Sequence, residues 1–128
     1  MLSFLRSRAN SFRYAIEGWW YVIRTQKNAW IHAVVSVIVV ILGVWLDLPA
    51  RDWAVIILAI AMVWAAEFFN TALEAIVDLA SPEMNNLAKV GKDVGAAAVL
   101  IAAGASIFIG LLILGPPLWE ELQRIAGY

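Results

Sequence analysis

Four polar side chains recur at helical spacing in a largely apolar stretch of the sequence, AAEFFNTALEAIVDLA. Glu67, Asn70, Glu74 and Asp78 lie three, four and four residues apart. In a helix of about 100° per residue, these four residues share one face less than about 90° wide. A rise of about 1.5 Å per residue makes this acidic stripe about 16 Å long. Its carboxylates suit Mg²⁺, which takes oxygen ligands and uses about one or two protein carboxylates, with water and phosphate as the rest.

Three carboxylates on one face of a membrane helix must be neutralised. Each buried charge costs about 2.5–3.5 kcal/mol on insertion scales. The three acids also repel one another, so at least one must be protonated or paired with a cation. A bound metal is one solution. A seam of protonated acids hydrogen-bonded across an oligomer, or a path for protons or ions, would also explain the pattern.

Basic residues follow the acidic stripe. Lys89 and Lys92 are three residues apart, and Lys92-Asp93 precedes the third apolar run. Lysines here can meet phosphate oxygens, assisted by amides at a helix N-terminus, although ordinary snorkelling of lysines at a membrane surface explains them equally well. Acids for a metal and lysines for phosphate favour phosphoryl transfer, where positioning and charge neutralisation do most of the catalysis. The sequence contains neither a Walker A motif nor the protein-kinase motifs.

The elements that must position these residues are apolar. Each of three runs has about 20 residues or more, enough for a helix to cross about 30 Å of hydrocarbon, and the backbone inside a bilayer favours helix. The predicted transmembrane helices are 29–48, 53–79 and 94–114. Pro49 predicts a tight turn between the first two spans, and Gly115-Pro116-Pro117 predicts the end of the third.

Composition agrees with a single all-α membrane domain over residues 1–128. The chain is 63% hydrophobic and contains seven tryptophans, which suit membrane interfaces. The net charge of −1 gives no reason to expect a nucleic-acid partner. The absence of cysteine excludes thiolate metal sites, and one histidine, His32, cannot form a zinc cluster alone.

The distribution of basic residues predicts the orientation. Seven of the nine lysines and arginines lie before the first span or in the 80–93 loop. The positive-inside rule therefore places the N-terminus and this loop in the cytoplasm. Residues 1–28 mix aromatic and aliphatic residues with arginines, which predicts an amphipathic helix on the inner leaflet. That helix serves either as a surface anchor alone or also as a cover over an active site at the interface.

The stripe and the basic segment together resemble a known family. The pattern E-x-x-N-[TS]-A-[IL]-E-x-x-x-D, here Glu67 to Asp78, and the pattern A-K-x-x-K-D, here Ala88 to Asp93, are similar to those of the small prokaryotic diacylglycerol kinase / undecaprenol kinase family. The resemblance covers about residues 10 to 112. It implies a homotrimer in the bacterial inner (cytoplasmic) membrane, with active sites between subunits at the cytoplasmic interface and with ATP and Mg²⁺ as cofactors.

The resemblance also implies roles for individual residues. Glu67 matches the catalytic base that takes the proton from the lipid hydroxyl, and Glu74 matches an acid that holds magnesium against the ATP phosphates. The remaining matches are to the nucleotide site. They are Asn70 and Asp78, which line it; Lys92 and Asp93, which contact phosphate and nucleotide; Lys89 in the same motif; and Tyr14, at the position of a tyrosine that lies against the nucleotide.

One position departs from the family pattern. Gln26 stands where the family commonly has a metal-binding glutamate before the first span. Its carbonyl oxygen can still bind a metal, but it brings no charge, which implies weaker metal affinity. Lys27, Asn28 and His32 fit a family variant with N-x-x-x-H, and we interpret His32 itself as an ordinary membrane-interface residue.

The expected activity is ATP- and Mg²⁺-dependent phosphorylation of a membrane lipid hydroxyl. The loop with Ser81-Pro82-Glu83 before A-K-x-x-K-D is more similar to the undecaprenol kinase branch. Undecaprenol is therefore favoured, and diacylglycerol, giving phosphatidic acid, is the alternative. A non-catalytic ion-conducting or regulatory membrane oligomer is the alternative of another class, supported by Gln26 alone.

Overall fold

The computed structural model describes residues 1–83 and 85–127, with the side chains at positions 2–5, 7 and 9 left out of the description. Met84, which falls in the predicted cytoplasmic loop, and Tyr128, at the end of the tail, lie outside the described residues. The described part of the chain forms four helices. They are α1 (Leu2–Thr25), α2 (Lys27–Trp45), α3 (Ala50–Ala80) and α4 (Asn86–Ala126).

Helix α1 has the predicted helical conformation and ends before the first span. Gln26 is extended, with φ −101° and ψ 116°, and separates α1 from α2 by one non-helical residue. Most described side chains of α1 are exposed, but Val22 is buried against Ala29 of α2 and Trp64 of α3. One face of α1 is therefore tied to the other helices near its C-terminus. The position of α1 on a membrane surface remains a prediction.

Helices α2, α3 and α4 are each long and apolar enough to cross a membrane, as the sequence predicts. The link between α2 and α3 is the expected tight turn. Asp47 adopts the left-handed conformation with φ 50°, which aspartate tolerates better than most residues. Pro49 is the residue before α3, where its missing N–H costs no helical hydrogen bond.

Helix α4 differs from the prediction at both ends. It begins at Asn86, so Lys89, Lys92 and Asp93 belong to its first two turns rather than to a loop. The side chain of Asn85 accepts a hydrogen bond from the Ala88 amide at 2.9 Å and starts the helix there. This early cap brings the basic residues onto a rigid element.

The prediction that Gly115-Pro116-Pro117 ends the helix is wrong. Helix α4 continues through both prolines to Ala126 and ends at Gly127, whose φ of 79° closes it. Each proline removes one backbone donor. The bonds of the turns before and after them keep the 41-residue helix continuous.

Helix α3 lies between α2 and α4 and runs antiparallel to both of them. Two apolar clusters fix this arrangement. One contains Val22, Ala29 and Trp64, and the other contains Leu48, Ile56 and Leu114 at the opposite end of α3. Between α3 and α4, the Ser106 hydroxyl donates to the Ala59 carbonyl at 3.2 Å. The C-terminal half of α3, which carries the acidic stripe, is thereby held beside the start of α2 and the start of α4.

Candidate functional site

The acidic stripe passes from a buried to an exposed environment along α3. Glu67 is 1% exposed and Asn70 is 8% exposed. Glu74 is half-buried, whereas the side chain of Asp78 is 63% exposed. The stripe therefore begins inside the helix bundle and opens at the end of α3.

Glu74 lies at the meeting point of α1, α2 and α3. Its Oε1 accepts a hydrogen bond from Asn70 Nδ2 at 3.1 Å, and its Oε2 accepts one from Gln26 Nε2 at 3.3 Å. Gln26 reaches Glu74 because it is the single extended residue between α1 and α2. The two residues that the sequence assigns to a metal, Glu74 and Gln26, are thus in direct contact.

The donor set around Glu74 fits a hard divalent cation that is bound mainly through phosphate and water. It consists of one carboxylate and two amides, and turning either amide by 180° presents a carbonyl oxygen to the same space. The described residues contain no group of three or more His, Asp or Glu side chains arranged to hold a metal. Mg²⁺ needs only about one or two protein carboxylates when phosphates supply the other oxygens.

Asn70 is held in place by a glycine that the sequence analysis missed. The Asn70 Oδ1 atom is buried without a hydrogen-bond partner in the described structure. It packs against Gly95 of α4, where an added Cβ would lie 2.4 Å from Oδ1. Gly91 and Gly95 are four residues apart and so lie on one helix face. This spacing of small residues is the sequence feature that could have predicted a close contact between α4 and another helix.

Glu67 faces α2, where it meets the histidine that we interpreted as an ordinary interface residue. The distance from Glu67 Oε2 to His32 Nε2 is 3.6 Å, and the side chains are 1% and 14% exposed. A signal for this contact was present in the sequence. His32 and Ser36 are one helical turn apart and are polar residues within the apolar first span, where polar side chains usually have a functional or pairing role.

The basic residues of α4 form two ion pairs. Lys92 reaches across to Asp78 of α3 at the open end of the stripe. Lys89 pairs with Asp93 one turn further along the exposed surface of α4. The structure therefore brings Lys92 to the stripe, while Lys89 and Asp93 lie beside it and neutralise each other.

Tyr14 is separate from these groups. It is 58% exposed on α1, where the Arg13 guanidinium lies 5.2 Å from the centre of its ring. The neighbouring aromatic cluster, which the sequence did not reveal, is closer to Glu67. Trp19 of α1 packs at 4.7 Å from Trp64 and 5.0 Å from Phe68, measured between ring centres.

Taken together, the stripe offers a buried carboxylate, a half-buried carboxylate between two amides, and a lysine at the opening. Such an arrangement can accept a proton at its buried end and bind cation and phosphate at its open end. This set of groups is compatible with transfer of a phosphoryl group to a hydroxyl.

Comparison with known proteins gives a consistent picture. The family profile described as prokaryotic diacylglycerol kinase matches residues 13–114. An undecaprenol kinase of Bacillus subtilis (strain 168) is 40% identical over 108 residues, which cover 84% of this chain and 88% of that protein. A diacylglycerol kinase of Synechocystis sp. is 43% identical over 109 residues, covering 84% of this chain and 62% of that protein. A diacylglycerol kinase of Escherichia coli (strain K12) is 28% identical over 117 residues, covering 86% of this chain and 96% of that protein.

The contact between Gly95 and Asn70 generates a stability prediction. In Gly95→Ala, the new methyl group must push the Asn70 amide away from α4 and break its hydrogen bond to Glu74. We expect a loss of about 1–3 kcal/mol in unfolding free energy, measured by denaturation in detergent micelles. Gly91→Ala is the matched control, because its Cβ would meet Val77 at an ordinary 3.6 Å. Both variants gain the same helix propensity, so equal stabilities would contradict the prediction.

Proposed function

The chain belongs to the prokaryotic diacylglycerol kinase family, and we propose that this lipid kinase transfers the γ-phosphoryl group of ATP to the hydroxyl of a lipid in the bacterial inner membrane. The observation that carries the proposal is the acidic stripe itself. Its buried end holds Glu67 among apolar helices, and its open end holds Asp78 and Lys92. Membership in a family of kinases favours catalysis over the non-catalytic oligomer considered from Gln26.

Glu67 is the proposed catalytic base. It accepts the proton of the lipid hydroxyl as the lipid oxygen forms a bond to the γ-phosphorus and the bond from that phosphorus to the β-bridging oxygen breaks, releasing ADP. Its burial supports this role, because a carboxylate among apolar helices is shielded from bulk water and can accept a proton without competition from solvent.

Glu74 is the proposed magnesium-binding carboxylate, with Gln26 and Asn70 beside it. Mg²⁺ in this position would neutralise charge on the ATP phosphates. The contribution of the protein is to hold a carboxylate and two amides at one point. The hydrogen bonds from Gln26 and Asn70 fix both oxygens of Glu74 and so support this assignment.

Lys92 and Asp78 are proposed to line the phosphate end of the nucleotide site. Their ion pair holds the lysine at the opening of the stripe, where a phosphate oxygen can replace Asp78 as its partner. Lys89, Asp93 and Tyr14 are proposed as further nucleotide contacts. All three are exposed on the side of the molecule that the positive-inside rule assigns to the cytoplasm.

We further propose a homotrimer with its N-terminus and the link between α3 and α4 in the cytoplasm. Many large apolar side chains of α2, α3 and α4 are exposed in the single chain. Lipid and neighbouring subunits are the two surroundings that would cover them. A site open at the end of α3 would then be completed by an adjacent chain.

Undecaprenol is the proposed lipid, with diacylglycerol as the alternative. The relatives named for these two substrates are 40% and 43% identical to this chain, so identity does not separate them. The proposal depends on the segment around Ser81-Pro82-Glu83 and A-K-x-x-K-D. A competition assay tests this assignment, in which the purified protein is given labelled ATP together with both lipids. Undecaprenyl phosphate should be the main product. A larger yield of phosphatidic acid would reverse the assignment.

Replacing the proposed base should abolish most turnover. Glu67→Gln keeps the shape of the side chain but removes its capacity to accept a proton, so kcat should fall by about 10²–10⁴-fold. ATP-dependent phosphorylation of lipid in mixed micelles measures this change. Asp52→Asn, at the other end of α3, is the control and should keep wild-type turnover. Near wild-type turnover in Glu67→Gln would remove Glu67 as the base.

Replacing Glu74 should act first on magnesium. The loss of one unit charge a few ångströms from a divalent cation exceeds the ~1.4 kcal/mol that a tenfold change requires. In Glu74→Gln we therefore expect half-saturation to need about tenfold more Mg²⁺ or higher, in titrations of activity and of stabilisation by magnesium-ATP. Titrations that match those of Asp52→Asn would reject the metal role.

A further inference from the structure

His32 lies in contact range of Glu67, although the sequence pattern gave it no role in the site. Its Nε2 atom is 3.6 Å from Glu67 Oε2, just beyond hydrogen-bond distance. Within the described structure, these two atoms are both buried and both lack a hydrogen-bond partner. Two unpartnered polar atoms that face each other in an apolar interior can satisfy each other after a shift of a few tenths of an ångström.

Hydrogen bonds through Ser36 join α2 to α3 beside His32. The Ser36 hydroxyl donates to the His32 carbonyl at 2.7 Å and accepts from Trp64 Nε1 at 3.3 Å. The imidazole also lies edge-on to the Trp64 ring, with 6.4 Å between ring centres and 70° between planes. Since Trp64 lies one turn before Glu67 on α3, these contacts keep α2 at His32 close to the part of α3 that carries Glu67.

The two lysines near the stripe pair with carboxylates other than Glu67. Lys92 pairs with Asp78, and Lys89 pairs with Asp93. His32 is therefore the basic side chain that the structure brings within 4 Å of Glu67. Burying a carboxylate without a partner is costly, so this contact bears directly on how Glu67 is held.

We propose that His32 is a positioning residue for lipid phosphorylation: its Nε2–H donates to Glu67 Oε2 and leaves Oε1 to accept the proton of the lipid hydroxyl. The inference rests on the proposed role of Glu67 as base. A neutral imidazole protonated on Nε2 suffices, so the proton of the lipid remains on Glu67 during the transfer. His32 acts by fixing the rotamer of the carboxylate and does not itself touch ATP or lipid.

The test compares two substitutions at this position. His32→Leu removes the donor and keeps the bulk, while His32→Gln keeps an N–H that can reach Glu67. Partners that orient a metal-binding side chain typically contribute about 10- to 100-fold to activity, and we expect the same range for a partner that orients a base. We expect kcat to fall by that factor in His32→Leu with the KM values for lipid and magnesium-ATP within about twofold, and His32→Gln to recover most of the loss. The assay uses undecaprenol in mixed micelles, or diacylglycerol if the competition assay selects it.

A control variant and a double variant separate positioning from general stability. Ser106→Ala removes a partly buried hydrogen bond between α4 and α3 that lies away from Glu67, and it should keep wild-type kcat. In the Glu67→Gln background, His32→Leu should cause no further loss, because its effect passes through the carboxylate.

Three outcomes would overturn the inference. The first is a wild-type kcat in His32→Leu. The second is an equal loss of kcat in both His32 variants, accompanied by a matching fall in melting temperature. The third is a loss of kcat in the double variant that equals the combined losses of the two single variants. Failure of the base assignment is recognised separately, because Glu67→Gln alone would then retain turnover.

Discussion

The structure is organised around the carboxylates along one face of α3, which pass from the fully buried Glu67 to the exposed Asp78. An apolar helix can hold such groups only if other elements supply partners, since a buried charge without one is far more costly than any single packing contact. Each neighbouring element contributes one partner at one level. Helix α2 contributes His32 beside Glu67, the break before α2 contributes Gln26 beside Glu74, and α4 contributes Lys92 beside Asp78. Each carboxylate of the stripe therefore has a partner from a different segment of the chain.

The graded exposure of the stripe is consistent with the division of labour proposed for its residues. Glu67 is covered by the surrounding helices, whereas Asp78 is exposed at the end that is proposed to receive the nucleotide. Glu74 stands between them, bonded to one residue on its own helix and to one on the preceding segment. A continuous straight helix is well suited to this task, because its rise of about 1.5 Å per residue places successive carboxylates at fixed depths without a loop in the hydrocarbon.

The sequence predicted those features that depend on local pattern. Apolar runs of about 20 residues predicted the spans, and the three-four-four spacing predicted one polar face on α3, because both follow from the geometry of a single helix. Contacts between helices could not be predicted in the same way. His32 and Gly95 reach the stripe through the relative rotation of α2 and α4 about α3, which no single-helix period determines. The end of α4 was mispredicted because a proline signals a local loss of one hydrogen bond, whereas helix continuity depends on all the bonds around it.

The neutral amide at position 26 bears on the balance between the free site and the proposed metal-bound site. A glutamate there would place two carboxylates together, and without a cation their repulsion would push α1 and α3 apart. Gln26 instead donates a hydrogen bond to Glu74 and keeps the two segments joined in the absence of metal. The cost is one unit of negative charge that would otherwise attract Mg²⁺. In the proposed mechanism the phosphates of ATP would then have to bring and retain the cation, so that metal and nucleotide are expected to bind as one unit at a site whose segments are already joined.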